Sequence, residues 1–195
     1  MLILSSQVRA QAQVFCSNKA INSITDFEGL RMRSTGTESA ELIEALGATP
    51  VSITFTDVYM SARQGLLDGT FSGWNGHVTS KIWEVFDYAL DFPFNAGGCV
   101  LIMTKDVYDT LPGDLKVVLM EEAQRLEDTE YIESVKASVR DRQVCRDNGL
   151  TFTTADAELI AGLRSLAAPI SENWGKKSPA TGEALAAVKV ALGTR

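Results

Sequence analysis

Arg33 closes an alternating stretch, Leu30-Arg31-Met32-Arg33, and Ser34-Thr35-Gly36 follows at once. A guanidinium can make two parallel charge-assisted hydrogen bonds to a carboxylate. A helix beginning after Ser34-Thr35-Gly36 would add free backbone N–H groups, which favour an anion. This pattern points to holding an organic anion. The plain alternative is a surface ion pair between Arg33 and Glu28 or Asp26.

Other candidates for chemistry are thin. His77 is the single histidine, so zinc sites and histidine-dependent triads have little material. Cys16, Cys99 and Cys145 lack metal-like spacing and read as three small buried or semi-buried hydrophobes. The carboxylates Glu121, Glu122, Glu133 and Asp141 fall on a long helical stretch and read as a solvated face. No GxSxG, phosphate-binding glycine loop, HExxH or CxxC occurs. Phe55 and Trp74 are each either pocket wall or core. No metal and no cofactor is implied.

The 195 residues suffice for one large domain or two small ones. Composition is ordinary for a globular protein, with 45% hydrophobic residues. The net charge of −7 and the absence of basic patches argue against nucleic acid. No apolar run is long enough to span a membrane. Met1-Leu2-Ile3-Leu4 lacks a positive flank and reads as a buried strand rather than a leader.

The elements that must position Arg33 alternate in type, which argues α/β. Val14-Phe15-Cys16 reads as a strand. Thr25 and Glu28 resemble a capping box, and Gly29 ends that turn. Leu30 to Arg33 is a strand, a helix follows to about Leu46 with Ile43 inward, and Gly47 stops it. Thr49 to Ile53 is a strand, Thr56-Asp57 opens a helix with Val58 and Leu66 inward, and Thr70-Phe71-Ser72 is a strand. That is a compact β-α-β-α-β run, with Arg33 at a strand's carboxyl end, where open α/β sheets hold ligands. Val78 to Phe86 reads as a helix. Tyr88 to Met103 is extended and bent at Pro93, Gly97 and Gly98, with Val100 to Met103 as a buried strand. From Pro112-Gly113-Asp114 a helix runs without interior Pro or Gly to about Asp147, roughly 50 Å at ~1.5 Å per residue. Its first half carries Leu115, Val118, Leu119, Ala123 and Leu126 at helical spacing. Asp156 caps a helix with Leu159, Leu163 and Leu166, and Pro179 to Leu192 is a last helix.

The order of motifs carries a family resemblance. Ser17-Asn18-Lys19-Ala20-Ile21 leads to Asp26-Phe27-Glu28-Gly29-Leu30-Arg31-Met32-Arg33. Then come Leu46-Gly47-Ala48-Thr49-Pro50-Val51, Phe55-Thr56-Asp57-Val58-Tyr59, Gln64-Gly65-Leu66-Leu67-Asp68-Gly69, Lys81-Ile82-Trp83-Glu84-Val85 and Leu111-Pro112-Gly113-Asp114-Leu115. In this order they resemble the substrate-binding subunits of tripartite ATP-independent periplasmic (TRAP) transporters, of the dicarboxylate-binding DctP type. The resemblance implies a type II periplasmic-binding-protein-like α/β fold with two lobes and a long bridging helix. Residues 1–103 would form mainly the second lobe. Residues 104–195 would form the spine helix and the C-terminal helices. Family members begin with a leader and most of the first lobe, so the first lobe is expected to be incomplete here.

The implied function is non-catalytic capture of a small organic acid in the periplasm and its delivery to TRAP membrane permease subunits. By resemblance, Arg33 matches the carboxylate-binding arginine and Phe55 a pocket aromatic. Ser72 stands where many members have Asn or an aromatic, and Trp74 matches an aromatic of some relatives. Gln13 stands where sialic-acid-type members carry a second arginine. The departures at Gln13 and Ser72 favour a monocarboxylate with an apolar body over a dicarboxylate, since one buried charge needs one guanidinium. The rival readings are an enzyme reusing the fold and a sensory or scaffold module.

Overall fold

The computed structural model describes residues 1–191 and residue 193, with side chains excepted at 6–12 and 95–97. Two long strands, β1 (Leu2–Ser17) and β5 (Tyr88–Met103), pair antiparallel along most of their length. Between them in sequence lies the expected alternating run. It consists of β2 (Arg31–Ser34), α1 (Thr37–Ala45), β3 (Thr49–Ser52), α2 (Val58–Arg63) and β4 (Gly69–Ser72). β2 pairs parallel with β3 and β4, and β4 pairs antiparallel with β1. With β6 (Thr151–Thr153) beside β5, the sheet reads β3-β2-β4-β1-β5-β6.

Local chemistry explains the breaks. Ser23, not Thr25, caps the short 3-10 turn Ile24–Phe27, because Asp26 accepts from the Ser23 backbone N–H at 2.9 Å. Bonds from the Asn22 backbone first, then the Lys19 side chain, pull the Asp26 carboxyl down to about 2. Gly29 and Gly47 adopt φ of 74° and 75°, the left-handed geometry that lets each chain reversal close.

The next helix differs from expectation. It is α3 (Trp74–Thr79), starting at Trp74 rather than Val78. Lys81, at φ 47°, then breaks the path, leaving only a 3-10 turn over Ile82–Glu84. A short α4 (Lys105–Thr110) precedes α5 (Gly113–Asp147), whose 35 residues span ~50 Å at ~1.5 Å each. The chain closes with α6 (Ala157–Gly175), capped by the Asp156 carboxylate on the Leu159 N–H at 2.8 Å, and α7 (Pro179–Ala191). The expected end at Leu192 lies outside the described residues.

Two apolar clusters flank the sheet. One joins Phe15, Phe27, Met32, Ile43 and Phe71 to Leu159 and Leu163 of α6. The other joins Val14, Cys16, Trp74, Ile82 and Cys145. Period-two alternation in β1 sends Phe15 to the first cluster and its neighbours Val14 and Cys16 to the second.

Several burial expectations are corrected. Val100, Leu101 and Ile102 form a strand but are exposed, because this end of the ribbon pairs only with the start of β1. There Leu4 is buried while Met1 and Ile3 are exposed. Leu66 lies beyond the end of α2 and is exposed. On α5, Ala123 is buried but Leu115, Val118 and Leu126 face outward. Asp141 is buried rather than solvated, since it lies on the stripe that packs toward β1, and Arg140 bonds it at 3.0 Å. Cys99 is exposed, unlike Cys16 and Cys145.

Gly69 and His77 mark the tightest points of this core. A Cβ on Gly69 would fall 2.2 Å from the Phe15 ring, which Phe27 and Phe71 clamp at centroid distances of 5.4 and 4.9 Å. Gly69→Ala should therefore cost about 1–3 kcal/mol of overpacking, read from denaturant midpoints. His77 is fully buried, its Nε2 lying 3.3 Å from the Val14 carbonyl. Desolvation lowers its pKa from 6.5 to about 4. The unfolded chain thus takes up a proton that the folded chain refuses in that window. Stability is full above pH ~6.5 and should fall by up to about 3 kcal/mol as pH drops toward 4. A His77→Leu chain should lack this segment of the pH–stability slope.

Candidate functional site

β2 places two arginines on one face, two residues apart, with Met32 and Ser34 turned to the other. Their environments differ sharply. Arg31 is fully engaged with Asp68: its Nε donates to Oδ2 at 2.8 Å, its Nη2 to Oδ1 at 2.7 Å, and its backbone N–H to Oδ2 at 2.9 Å. Asp26, one of the expected partners of Arg33, is instead paired with Lys19 at 3.0 Å.

Arg33 is half-buried and pairs with no carboxylate among the described residues. Its Nε donates to the Ile53 carbonyl at 3.1 Å, and its guanidinium lies over the Phe55 ring, 5.4 Å from the centroid. Burial pushes its pKa below the ordinary arginine value, with no acidic neighbour to oppose the shift. A half-desolvated cation without an anion is costly unless something else completes it.

Arg33 lines a cavity of about 250 Å³ between the sheet, α1 and α6, and also a second recess that includes its partner Ile53. Gln13 and Arg33 supply the polar floor of the cavity, and Phe71, Phe94 and Leu42 supply apolar walls. Ile170 and Ser171 close it from the α6 side. Phe71 and Phe94 meet edge to face at 4.8 Å, which fixes the shape of that wall. The start of α1 contributes less to anion binding than its position suggests. The Ser39 Oγ accepts from the Thr35 N–H at 2.8 Å and the Gly36 N–H at 3.0 Å, so these amides are already satisfied.

The sequence candidates fall into three groups. Gln13 and Arg33 share the cavity. Phe55 and Ser72 are not among the residues lining it, although Phe55 lies under the Arg33 guanidinium. A Cβ on Gly76 would sit 2.2 Å from the Ser72 Oγ and 3.0 Å from the Phe55 ring, so both side chains close in on that glycine. Trp74 is in the core, 4% exposed, stacked on Phe152 at 5.2 Å. Phe71, Phe94 and Glu38 line the cavity without having been singled out in the sequence. Alternation in Thr70-Phe71-Ser72 already sets Phe71 opposite Ser72, and Phe92-Pro93-Phe94 has the same period.

Comparison with known proteins agrees with this architecture. The profile of DctP, bacterial extracellular solute-binding protein, family 7, matches residues 3–177. The C4-dicarboxylate-binding periplasmic protein DctP of Rhodobacter capsulatus is 29% identical over 183 residues, 92% of this chain and 54% of that protein. The sialic acid-binding periplasmic protein SiaP of Vibrio cholerae is 23% identical, over 73% of this chain and 44% of that protein. The chain thus spans about half the length of these curated relatives.

Among solved structures, DctP7, a Bordetella pertussis extracytoplasmic solute receptor binding pyroglutamic acid, superposes with a TM-score of 0.87 at 18% identity. That match covers 94% of this chain and 61% of that one. A TRAP periplasmic solute-binding protein from Rhodoferax ferrireducens with bound malonate gives 0.83 at 19% identity, over 98% and 62%. The fold is therefore mixed α/β of the type II periplasmic-binding-protein kind. With nine-tenths of its length inside the profile, the chain belongs to family 7 of the bacterial extracellular solute-binding proteins, the DctP family.

Proposed function

We propose that this chain is the ligand-holding part of a non-catalytic extracytoplasmic receptor that captures a small organic carboxylate for a TRAP-type membrane transporter. The observation that carries this reading is the half-buried Arg33 guanidinium, without a protein carboxylate, beside an apolar-walled cavity. A ligand carboxylate would supply the missing anion through charge-assisted hydrogen bonds. Gln13 beside it would offer a neutral amide, and Phe55 would hold the guanidinium plane from behind. Ser72 and Trp74 stay in this reading at one remove, supporting Phe55 and the strand end rather than the cavity wall.

Ligands named for relatives support the chemical class: C4-dicarboxylates, pyroglutamic acid and malonate are all organic acids. A single guanidinium and aromatic walls favour a monocarboxylate with an apolar body. In the same reading residues 1–103 form mainly the second lobe, and 104–195 carry the spine α5 and the terminal helices. Periplasmic location and docking to permease subunits belong to the same reading and are supported by the family match. Among the described residues no helix is long and apolar enough to cross a membrane.

Titration calorimetry with pyroglutamate and with its uncharged lactam analogue, 2-pyrrolidone, tests the reading. The acid should bind and the lactam should not. Arg33→Met should weaken the acid about a hundredfold or more, the loss of two charge-assisted bonds. Its unfolding midpoint should stay level or rise, because no protein ion pair is broken. Unchanged affinity in Arg33→Met would remove the receptor reading.

A further inference from the structure

We infer that Glu38 sets ligand selectivity at this cavity, its carboxylate rejecting a second anionic group and accepting a hydrogen bond from a hydroxyl or N–H at the ligand's far end. The inference rests on the reading of Arg33 as the carboxylate anchor. Among the described residues, Arg33 and Glu38 are the charged side chains lining the cavity, and they are not paired with each other. Arg33 projects from the sheet, and Glu38 stands in the first turn of α1. A ligand anchored on Arg33 and lying along Phe71 and Phe94 presents its other end toward α1 and α6.

The groups waiting there are acceptors. Lys177 donates to Glu38 Oε1 at 2.6 Å, and the Glu38 backbone N–H bonds the same carboxylate, which still has acceptor sites to spare. These bonds hold the Glu38 carboxyl below its usual range, so it is charged at neutral pH. The hydroxyls beside it are already spent as donors. Ser39 Oγ gives its proton to the Gly36 carbonyl at 2.8 Å, and Ser171 Oγ gives its own to the Ala167 carbonyl at 3.2 Å. A second ligand carboxylate would therefore meet a carboxylate and hydroxyls, that of Thr35 included, whose protons are already committed, while a hydroxyl or amide N–H would find an acceptor. Lys177, beyond the end of α6 and outside the cavity lining, offsets part of this charge, so the discrimination is that of a paired carboxylate.

The alternative role for the pair is a tie between α1 and the end of α6. Calorimetry on the full chain with pentanoate, 5-hydroxypentanoate and glutarate separates the two, since these acids differ only at the far end. The wild-type chain should bind 5-hydroxypentanoate tightest and glutarate weakest. Glu38→Gln should strengthen glutarate about tenfold, and Lys177→Met, which bares the Glu38 carboxylate, should keep or deepen the discrimination against it. Glutarate binding tighter than pentanoate in the wild type, or both variants shifting all three acids alike, would overturn the selectivity role and leave the Arg33 anchor standing. Failure of all three acids to bind the wild-type chain would remove the anchor and the selectivity role together.

Discussion

Asp68 accepts three hydrogen bonds from Arg31, and this pairing governs what the neighbouring arginine can do. With both oxygens of Asp68 engaged by Arg31, Arg33 on the same face of β2 has a carbonyl and an aromatic ring but no anion. The same bond fastens the first residue of β2 to the residue before β4, so the starts of these two parallel strands are held in register by it. One ion pair thus ties the sheet together, and the neighbouring cation is left without a protein anion.

The cavity itself is a product of layering. Phe15, Phe27 and Phe71 pack between the sheet and α6, and the cavity opens where that packing runs out at Phe94, Leu42 and Ile170. Its apolar walls are a continuation of the core, which keeps them rigid without additional bonds. Beyond Gln13 and Arg33 on the strands, its polar groups come from places where backbone chemistry is already settled: the capped start of α1 and the body of α6. Few donors are left over, and this scarcity gives the two charged side chains their weight.

Much of this arrangement was legible in the residues. The β-α-β-α-β run followed from alternation at Leu30 to Arg33 and from Gly29 and Gly47, because those features act over a few residues. α5 was legible because nothing between Gly113 and Asp147 interrupts it. Arg33 could be placed at a strand end, but whether it was free depended on Asp68, whose partner Arg31 lies 37 residues away in sequence. Glu38 and Phe94 were silent for a similar reason, since the cavity forms only when α6 folds back across α1. Burial misled at Val100 to Ile102, where apolar residues with strand character lie on the exposed end of the ribbon. It misled in the opposite sense at Asp141, a charged residue on the inward stripe of α5.

The ribbon of β1 and β5 has a mechanical consequence. Each strand has 16 residues and reaches roughly 50 Å at about 3.3 Å per residue, matching the helix that packs along β1. Two girders of equal length braced against each other resist flexure together. The ribbon's pairing slips register between Ile3 and Ser5, between Arg9 and Ala12, and between Gln13 and Phe15. An extra residue at such a slip bends the ribbon and deepens its twist, and the last slip lies beside the Gln13 that lines the cavity, so the local kink there shapes the cavity floor.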